Sequence, residues 1–481
     1  MITIEEIFSL TKSELKSKLL EYEDKTQYLN NLERINAVII HSFNNSLLNS
    51  KEMKIVESDN YDRVMKLNPT SYLEFLELLN PKKKSNKINI NINPKLLKSW
   101  NTPKVTTLEE HDYIVMSVAV SGIINTPDKF GKQYIISGSV DKTIKIWDIS
   151  TYELVEILEE HRNTVRSVAV SGIINTSDEF GNIISKQYII SASDDKTIKI
   201  WNFSTFKLVA SLEGHTNGIN SVAVSGKYII SGSFDKTIKI WDLSTFKLVT
   251  TLEGHTDWIN CVAVSSINNT TDKFGKQYII LASDDKTIKI WDLSTFKLVE
   301  TLEGHTNSVN SVAVSSINNT TDKFGKQYII SASDDKTIKI WNFSTFKLVA
   351  SLEGHTNGIN SVAVSDIINT TDEFGNNIEK QYIISGSRDG TIKIWDFSTF
   401  KLVETLEGHT DIVTSVAVSS DNKYIISGSR DKTIKFWDLS TFELMTTLGN
   451  DTYVYSVAIS SDNKYIISGL YNGKIKIWEK N

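Results

Sequence analysis

Serine, histidine and aspartate recur together along this chain, and together they are the residues of nucleophilic acyl transfer. Seven of the eight histidines are involved: His111, His161, His215, His255, His305, His355 and His409. Each is followed by serine-bearing runs and then by an aspartate: Asp141, Asp195, Asp235, Asp285, Asp335, Asp389 and Asp431. A hydrolase needs one such set, with a base beside its nucleophile and a third group orienting that base. Seven copies at a regular interval point to something that every repeating unit needs for itself.

The elements that carry these residues repeat with them. Every aspartate stands six residues before a tryptophan, Trp147, Trp201, Trp241, Trp291, Trp341, Trp395 and Trp437, and Trp478 closes one further unit. Successive tryptophans are 54, 40, 50, 50, 54, 42 and 41 residues apart, so a unit recurs eight times from about residue 103 onward. Within a unit the runs read Ser-Val-Ala-Val, Tyr-Ile-Ile-Ser, Thr-Ile-Lys-Ile-Trp and Phe-Lys-Leu-Val-x-x-Leu. These are short, β-branched or alternating segments separated by Asp-Lys, Asp-Gly and Ser-Thr-Phe turns. Four antiparallel strands with apolar residues on both faces must stack against neighbours, and radial closure satisfies that need.

Composition excludes several classes. The chain has 481 residues, a net charge of −6 and a single cysteine, Cys261. One thiol rules out a disulfide framework and a multi-thiolate metal site, and it fits a reducing compartment. Cys261 stands where other units carry serine, so a small packing residue is the expected role. No apolar run approaches the ~20 residues that span a bilayer, and acidic residues stand where a signal peptide carries positive charge. The expectation is an intracellular protein, cytoplasmic with the nucleus left open, without membrane insertion and without specific nucleic-acid binding. The histidines recur at unit spacing, so no pair falls at a metal-ligand interval, and no phosphate-cradling Gly-rich loop with its lysine is present. No cofactor, no metal and no catalytic residue are expected.

With Gly-His near the start of a unit and Trp-Asp at its end, the chain resembles the WD-repeat (WD40) family over about 380 of its 481 residues. The resemblance implies an all-β, eight-bladed propeller, with seven blades as the fallback should the degenerate last unit fail to form. It also implies that His, Ser, Asp and Trp form a hydrogen-bonded network inside each blade. In the eighth unit Asn450 replaces the histidine, Asn472 the aspartate and Leu470 the second serine, so the network around Trp478 is in doubt there. That unit also lacks its own fourth strand. Lys104-Val-Thr-Thr-Leu108 is expected to supply it and close the ring.

In the family, partners dock on the top face, at positions three and five after the histidine and one before the turn aspartate. The matching residues include Ile114 and Met116 in the first unit, Arg166 in the second, Phe234 in the third and Trp258 in the fourth. Arg388 follows in the sixth, Ile412 and Arg430 in the seventh, and Tyr453, Tyr455 and Tyr471 in the eighth. The chain holds 46 lysines but only six arginines, and the four in the repeats fall on or beside these positions. A planar guanidinium offers a two-pronged fork for carboxylate or phosphate. The expectation is therefore a groove between an aromatic wall and arginines, suited to an acidic or phosphorylated peptide. The insertions after Ser-Val-Ala-Val-Ser, long in the first, second, fourth, fifth and sixth units, belong to the opposite face and are expected to be solvated.

Residues 1–100 differ in kind. Thr3-Ile-Glu-Glu6 and Thr11-Lys-Ser-Glu14 read as capping boxes, leucines follow at helical spacing, and Tyr72–Leu79 reads as a helix ending before Pro81. A small, mostly α-helical module and linker over 1–100, ahead of a propeller over 103–481, is the expected organisation. The main functional expectation is a non-catalytic interaction scaffold with a protein or peptide partner. The alternative is a ubiquitin-ligase substrate adaptor that uses residues 1–100 for recruitment. An enzyme working in the central channel is disfavoured by the absence of any unique nucleophile–base pair.

Overall fold

The computed structural model describes residues 103–122, 132–177, 183–265, 276–315, 327–371 and 377–480. The expected helical segment over 1–100 lies outside the described residues.

Each unit folds as a four-stranded antiparallel meander. In the first blade the strands are Val115–Val120, Tyr134–Ser139, Ile144–Asp148 and Leu154–Leu158, paired in that order from the inside out. The order repeats to make an eight-bladed propeller. The last sheet holds Val454–Ile459, Tyr465–Leu470 and Ile475–Glu479, and its outermost strand is Lys104–Leu108 from the start of the ring. Lys104 faces Glu479 and Leu108 faces Ile475 in that antiparallel pair. The eighth unit therefore forms a complete blade.

Alternation explains the packing between blades. Along the second and third strands of blade one, Ile136, Ile144 and Ile146 point into a cluster with Val165, Ile189 and Trp201 of blade two. Their neighbours Ile135 and Trp147 point the other way, against Tyr465 and Ile477 of blade eight. A strand buried on both faces reads as continuous apolar sequence, as Tyr-Ile-Ile does here. Fully burying an isoleucine contributes roughly 1.5–3 kcal/mol, and each blade repeats that contribution several times.

The aspartate after the tryptophan shapes the turn into the fourth strand. Asp242 Oδ1 accepts the backbone N–H groups of Ser244 and Thr245, at 3.0 and 2.8 Å. Phe246 closes that turn in the left-handed region, with φ of 56°. Its ring then meets Tyr188 of the preceding blade edge-on, with centroids 5.4 Å apart. A polar turn and an aromatic contact thus lock adjacent blades in register.

Antiparallel order places the loop before the first strand and the turn between the second and third strands at one end of every blade. That end is the top face, and the histidine and aspartate both belong to it. On the opposite face, the insertions of blades two and six carry two-stranded hairpins, Ile174–Ser177 with Ile183–Lys186 and Ile368–Thr371 with Asn377–Lys380. Most of the other long insertions lie outside the described residues.

Candidate interaction face

The triad-like residues do connect. In blade one His111 Nδ1 lies 2.6 Å from Asp141 Oδ2, and Nε2 lies 2.7 Å from Ser137 Oγ. Trp147 Nε1–H donates to the same serine oxygen at 3.3 Å. Burial alone would raise the Asp141 carboxyl, but hydrogen bonds from His111 and Thr143 hold it down at about 2. The other six turn aspartates are held below the usual carboxylate range in the same way. An ionised carboxylate only accepts, so the imidazole places its proton on Nδ1. Burial pushes the His111 imidazole below its ordinary value, against the pull of Asp141. A neutral ring leaves Nε2 to accept the Ser137 hydroxyl proton.

This is the hydrogen-bond order of a Ser-His-Asp hydrolase, yet no substrate can reach it. Ser137 is wholly buried and His111 is 5% exposed. The serine oxygen is already held by tryptophan. The same chain of bonds runs through Ser191, Ser231, Ser331, Ser385 and Ser427. It ties the top loop, the turn and the third strand of these six blades together.

Two blades depart from it. Blade four has Leu281 where the bridging serine belongs, and His255 Nε2 and Trp291 Nε1 are buried without a partner. Leu281 was not among the expected departures; the leucine that interrupts the Tyr-Ile-Ile-Ser run is its signal in the sequence. In blade eight Trp478 Nε1 and Asn450 Oδ1 are likewise orphaned. Ion pairs stand in for the network there: Lys474 Nζ lies 2.6 Å from Glu109, and Lys476 Nζ lies 3.2 Å from Asp451.

The top-face residues fall into distinct groups. Tyr453 and Tyr455 both pack on Tyr471, with centroids 5.7 and 6.1 Å away. Tyr453 and Tyr471 are 38% and 47% exposed. Beside them, the blade-eight turn carrying Gly473 abuts the Tyr113 backbone, and Tyr113 is 62% exposed. Tyr113 was not among the expected residues; it is the one aromatic two positions after a unit histidine. Ile114, Met116 and Ile412 are half-buried at the rim.

A second group spans blades two to four. Arg166 Nε donates to Asp194 Oδ1 at 2.5 Å, and its guanidinium lies 4.9 Å over the Phe234 ring. Phe234 in turn packs on Trp258 with centroids 4.8 Å apart, and Trp258 is 47% exposed. Gly218 makes this possible. A Cβ there would sit 2.5 Å from Asp194 Oδ1 and 3.2 Å from Phe234.

The arginines are therefore less free than their positions imply. Arg388 bridges Asp334 at 3.0 Å and Asn360 at 2.9 Å. With Arg166 also paired, Arg430 is the one arginine of the three without an ion-pair partner among the described residues. Around the channel mouth, Asn260 and Asn310 donate to Asp284 and Asp334, each at 2.6 Å. Each also reaches a backbone carbonyl of the next blade, which fixes the rim. The Cys261 thiol is raised by burial and accepts the backbone N–H of Val312, as Ser311 Oγ accepts that of Val362. Among the described residues no cluster of three metal-ligating side chains forms, and no helix is long and apolar enough to cross a membrane.

Comparison with known proteins bears on the repeat alone. The family model described as WD domain, G-beta repeat matches eight segments: 102–148, 152–202, 206–242, 246–292, 296–342, 346–396, 400–438 and 442–479. Coatomer subunit beta'-1 of Arabidopsis thaliana is 51% identical over 39 residues, 8% of this chain and 4% of that protein. Coatomer subunit beta'-2 of the same plant is 53% identical over 38 residues, again 8% and 4%. These matches span one repeat's length and a small part of either relative. Among solved structures, the computationally designed Ika8 protein aligns with a TM-score of 0.61 and 26% identity, over 79% of this chain and all of that one.

Proposed function

The chain belongs to the WD40 family of WD-domain, G-beta repeat proteins, and on that premise we propose that it is a non-catalytic, intracellular scaffold whose top face docks a protein segment. Members of this family generally act as interaction scaffolds, and the buried, repeated Ser-His-Asp network supports a structural role over a catalytic one. One observation carries the choice of face. Among the described residues all four exposed aromatic side chains, Tyr113, Trp258, Tyr453 and Tyr471, belong to top-face loops and turns. Aromatic anchors on a rigid rim are what the energetic centres of interfaces are made of. The exposed aliphatic residues instead lie mostly on outer strands, such as Leu248 and Val249.

The test is comparative capture by the full chain. Tyr113→Ala, Tyr453→Ala and Tyr471→Ala combined should release partners that a Leu248→Ser, Val249→Thr variant retains. Retention by both variants counts against the top face.

An acidic or phosphorylated segment is a second reading, favoured by Arg430, which has no ion-pair partner among the described residues and stands on the top-face turn of blade seven, the blade next to the tyrosines. Arg430→Lys should then weaken capture while Arg388→Lys, whose fork is already used on Asp334 and Asn360, changes it less.

A further inference from the structure

The molecule contains its own template for a guanidinium site. In blade two the turn carboxylate Asp194 holds Arg166, and an aromatic face, Phe234, covers that guanidinium. In blade five the matching carboxylate, Asp334, holds Arg388. Blade four has the third aspartate at this position, Asp284, and its Oδ1 accepts from Asn260 as Asp334 accepts from Asn310. No arginine arrives. The next blade presents Asp334 where blade six presents Arg388 to blade five, and blade four carries Asn260 where blade two carries Arg166. Among the described residues neither Asp284 nor the nearby Asp257 has an ion-pair partner.

Blade four has an aromatic ring of its own, although from a different place: Trp258 stands on its own top loop, whereas Phe234 reaches Arg166 from the turn of the following blade. Asp284 N–H donates to the Trp258 carbonyl at 2.9 Å, so the turn carrying the carboxylate and the loop carrying the indole are joined. Asp257 accepts the Trp258 backbone N–H at 2.9 Å, which fixes the loop. The indole packs against Phe234 at a tilt of 54°, and the ring is still 47% exposed. A half-exposed tryptophan on a loop bonded to the Asp284 turn and preceded by Asp257, with neither carboxylate in an ion pair among the described residues, has the charge and shape that favour a planar cation.

We infer that blade four takes an arginine side chain from a partner protein, stacked on Trp258 and paired with Asp284. The incoming residue gives Asp284 the guanidinium that Arg166 gives Asp194 on blade two. Arginine is favoured over lysine because stacking and a two-pronged carboxylate contact both use the planar fork. The inference rests on the top-face reading and adds to it the chemistry of one contact.

The test uses the full chain and a fluorescein-labelled, 12-residue Gly/Ser peptide carrying three arginines. Matched peptides carry lysine, glutamine or glutamate in the same places, and binding is read by anisotropy. The arginine peptide should bind tightest. Trp258→Ala and Asp284→Asn should each weaken it on the order of ten-fold, with circular dichroism unchanged because Trp258 is half exposed and the asparagine amide oxygen still accepts from Asn260. Equal binding of the lysine and arginine peptides overturns the assignment, and so does indifference to both substitutions. If binding is lost with Tyr453→Ala and Tyr471→Ala but not with Trp258→Ala, this site fails and the top-face reading stands. Indifference to both sets overturns both.

Discussion

Tyr152 Oη donates to Glu479 Oε2 across 2.6 Å, a bond between residues 327 positions apart. Every other described turn of this kind holds phenylalanine, and every other unit follows its tryptophan with aspartate or asparagine. The tyrosine of blade one and the glutamate of blade eight are thus two exceptions that meet at the seam. Glu479 also receives Lys464 at 3.1 Å and Lys104 at 3.6 Å. Burial and the adjacent carboxylate together raise the Tyr152 hydroxyl well above its ordinary value, so it stays a donor.

Tyr152→Phe keeps the ring and removes the bond. The loss of one hydrogen bond to a charged acceptor should lower stability by about 1–2 kcal/mol. The effect should appear first as faster amide exchange in Lys104–Leu108 and Ile475–Glu479. Exchange accelerated equally in all blades would argue against a local clasp.

Ser331→Ala should reproduce in blade five the condition that Leu281 imposes on blade four. It strands His305 Nε2 and Trp341 Nε1, both now bonded to Ser331 Oγ at 2.9 and 3.0 Å. Leaving buried polar groups unpaired costs about 1–3 kcal/mol each. Native-state exchange should show blade five opening more readily, and Leu281→Ala should lack this polar component.

Acid should weaken the ring from neutral pH downward. The folded Asp141 carboxyl titrates at about 2, below the ~3.9 of an unfolded aspartate. Its contribution is therefore full above about pH 4 and lost as pH falls toward about 2. His111 is also depressed, so keeping it neutral stabilises the fold above about pH 6.5 and ever less below that. Urea midpoints should fall between pH 7 and 5 and again between pH 4 and 2. Asp141→Asn should flatten part of the second step.

Gly218→Ala should leave the fold intact, because the glycine sits in ordinary backbone, yet displace Asp194 and Phe234. Trp258 would lose its rigid support. The expected readout is weaker arginine-peptide binding with an unchanged melting temperature. A fall in melting temperature without any binding change would show that the glycine serves packing alone.

Much of this architecture was legible residue by residue. Tryptophan spacing carried the blade count, and the missing fourth strand of the last unit pointed to Lys104–Leu108, which pairs there. The resemblance carried the partners of each histidine and aspartate, because those contacts recur within a blade. Contacts between blades were harder to see. Whether Arg388 is free depends on Asp334 one blade earlier, reaching past Gly358, and Arg166, held by Asp194 of its own blade, is covered by Phe234 one blade later. Comparing equivalent positions in register hides such diagonal neighbours, since a turn meets the loop of the following blade. The pairing of Tyr152 with Glu479 was hidden for the same reason.

The seam strand also sets how the ring answers a pull. Lys104 lies opposite Glu479 in an antiparallel pair, so residues 103 and 480 emerge side by side. Tension between them loads the closing hydrogen bonds one after another, as a zipper is peeled, instead of all at once in shear. The clasp that secures the circle against heat is therefore its weakest axis under force, and it would yield there while the other seven blades remain folded.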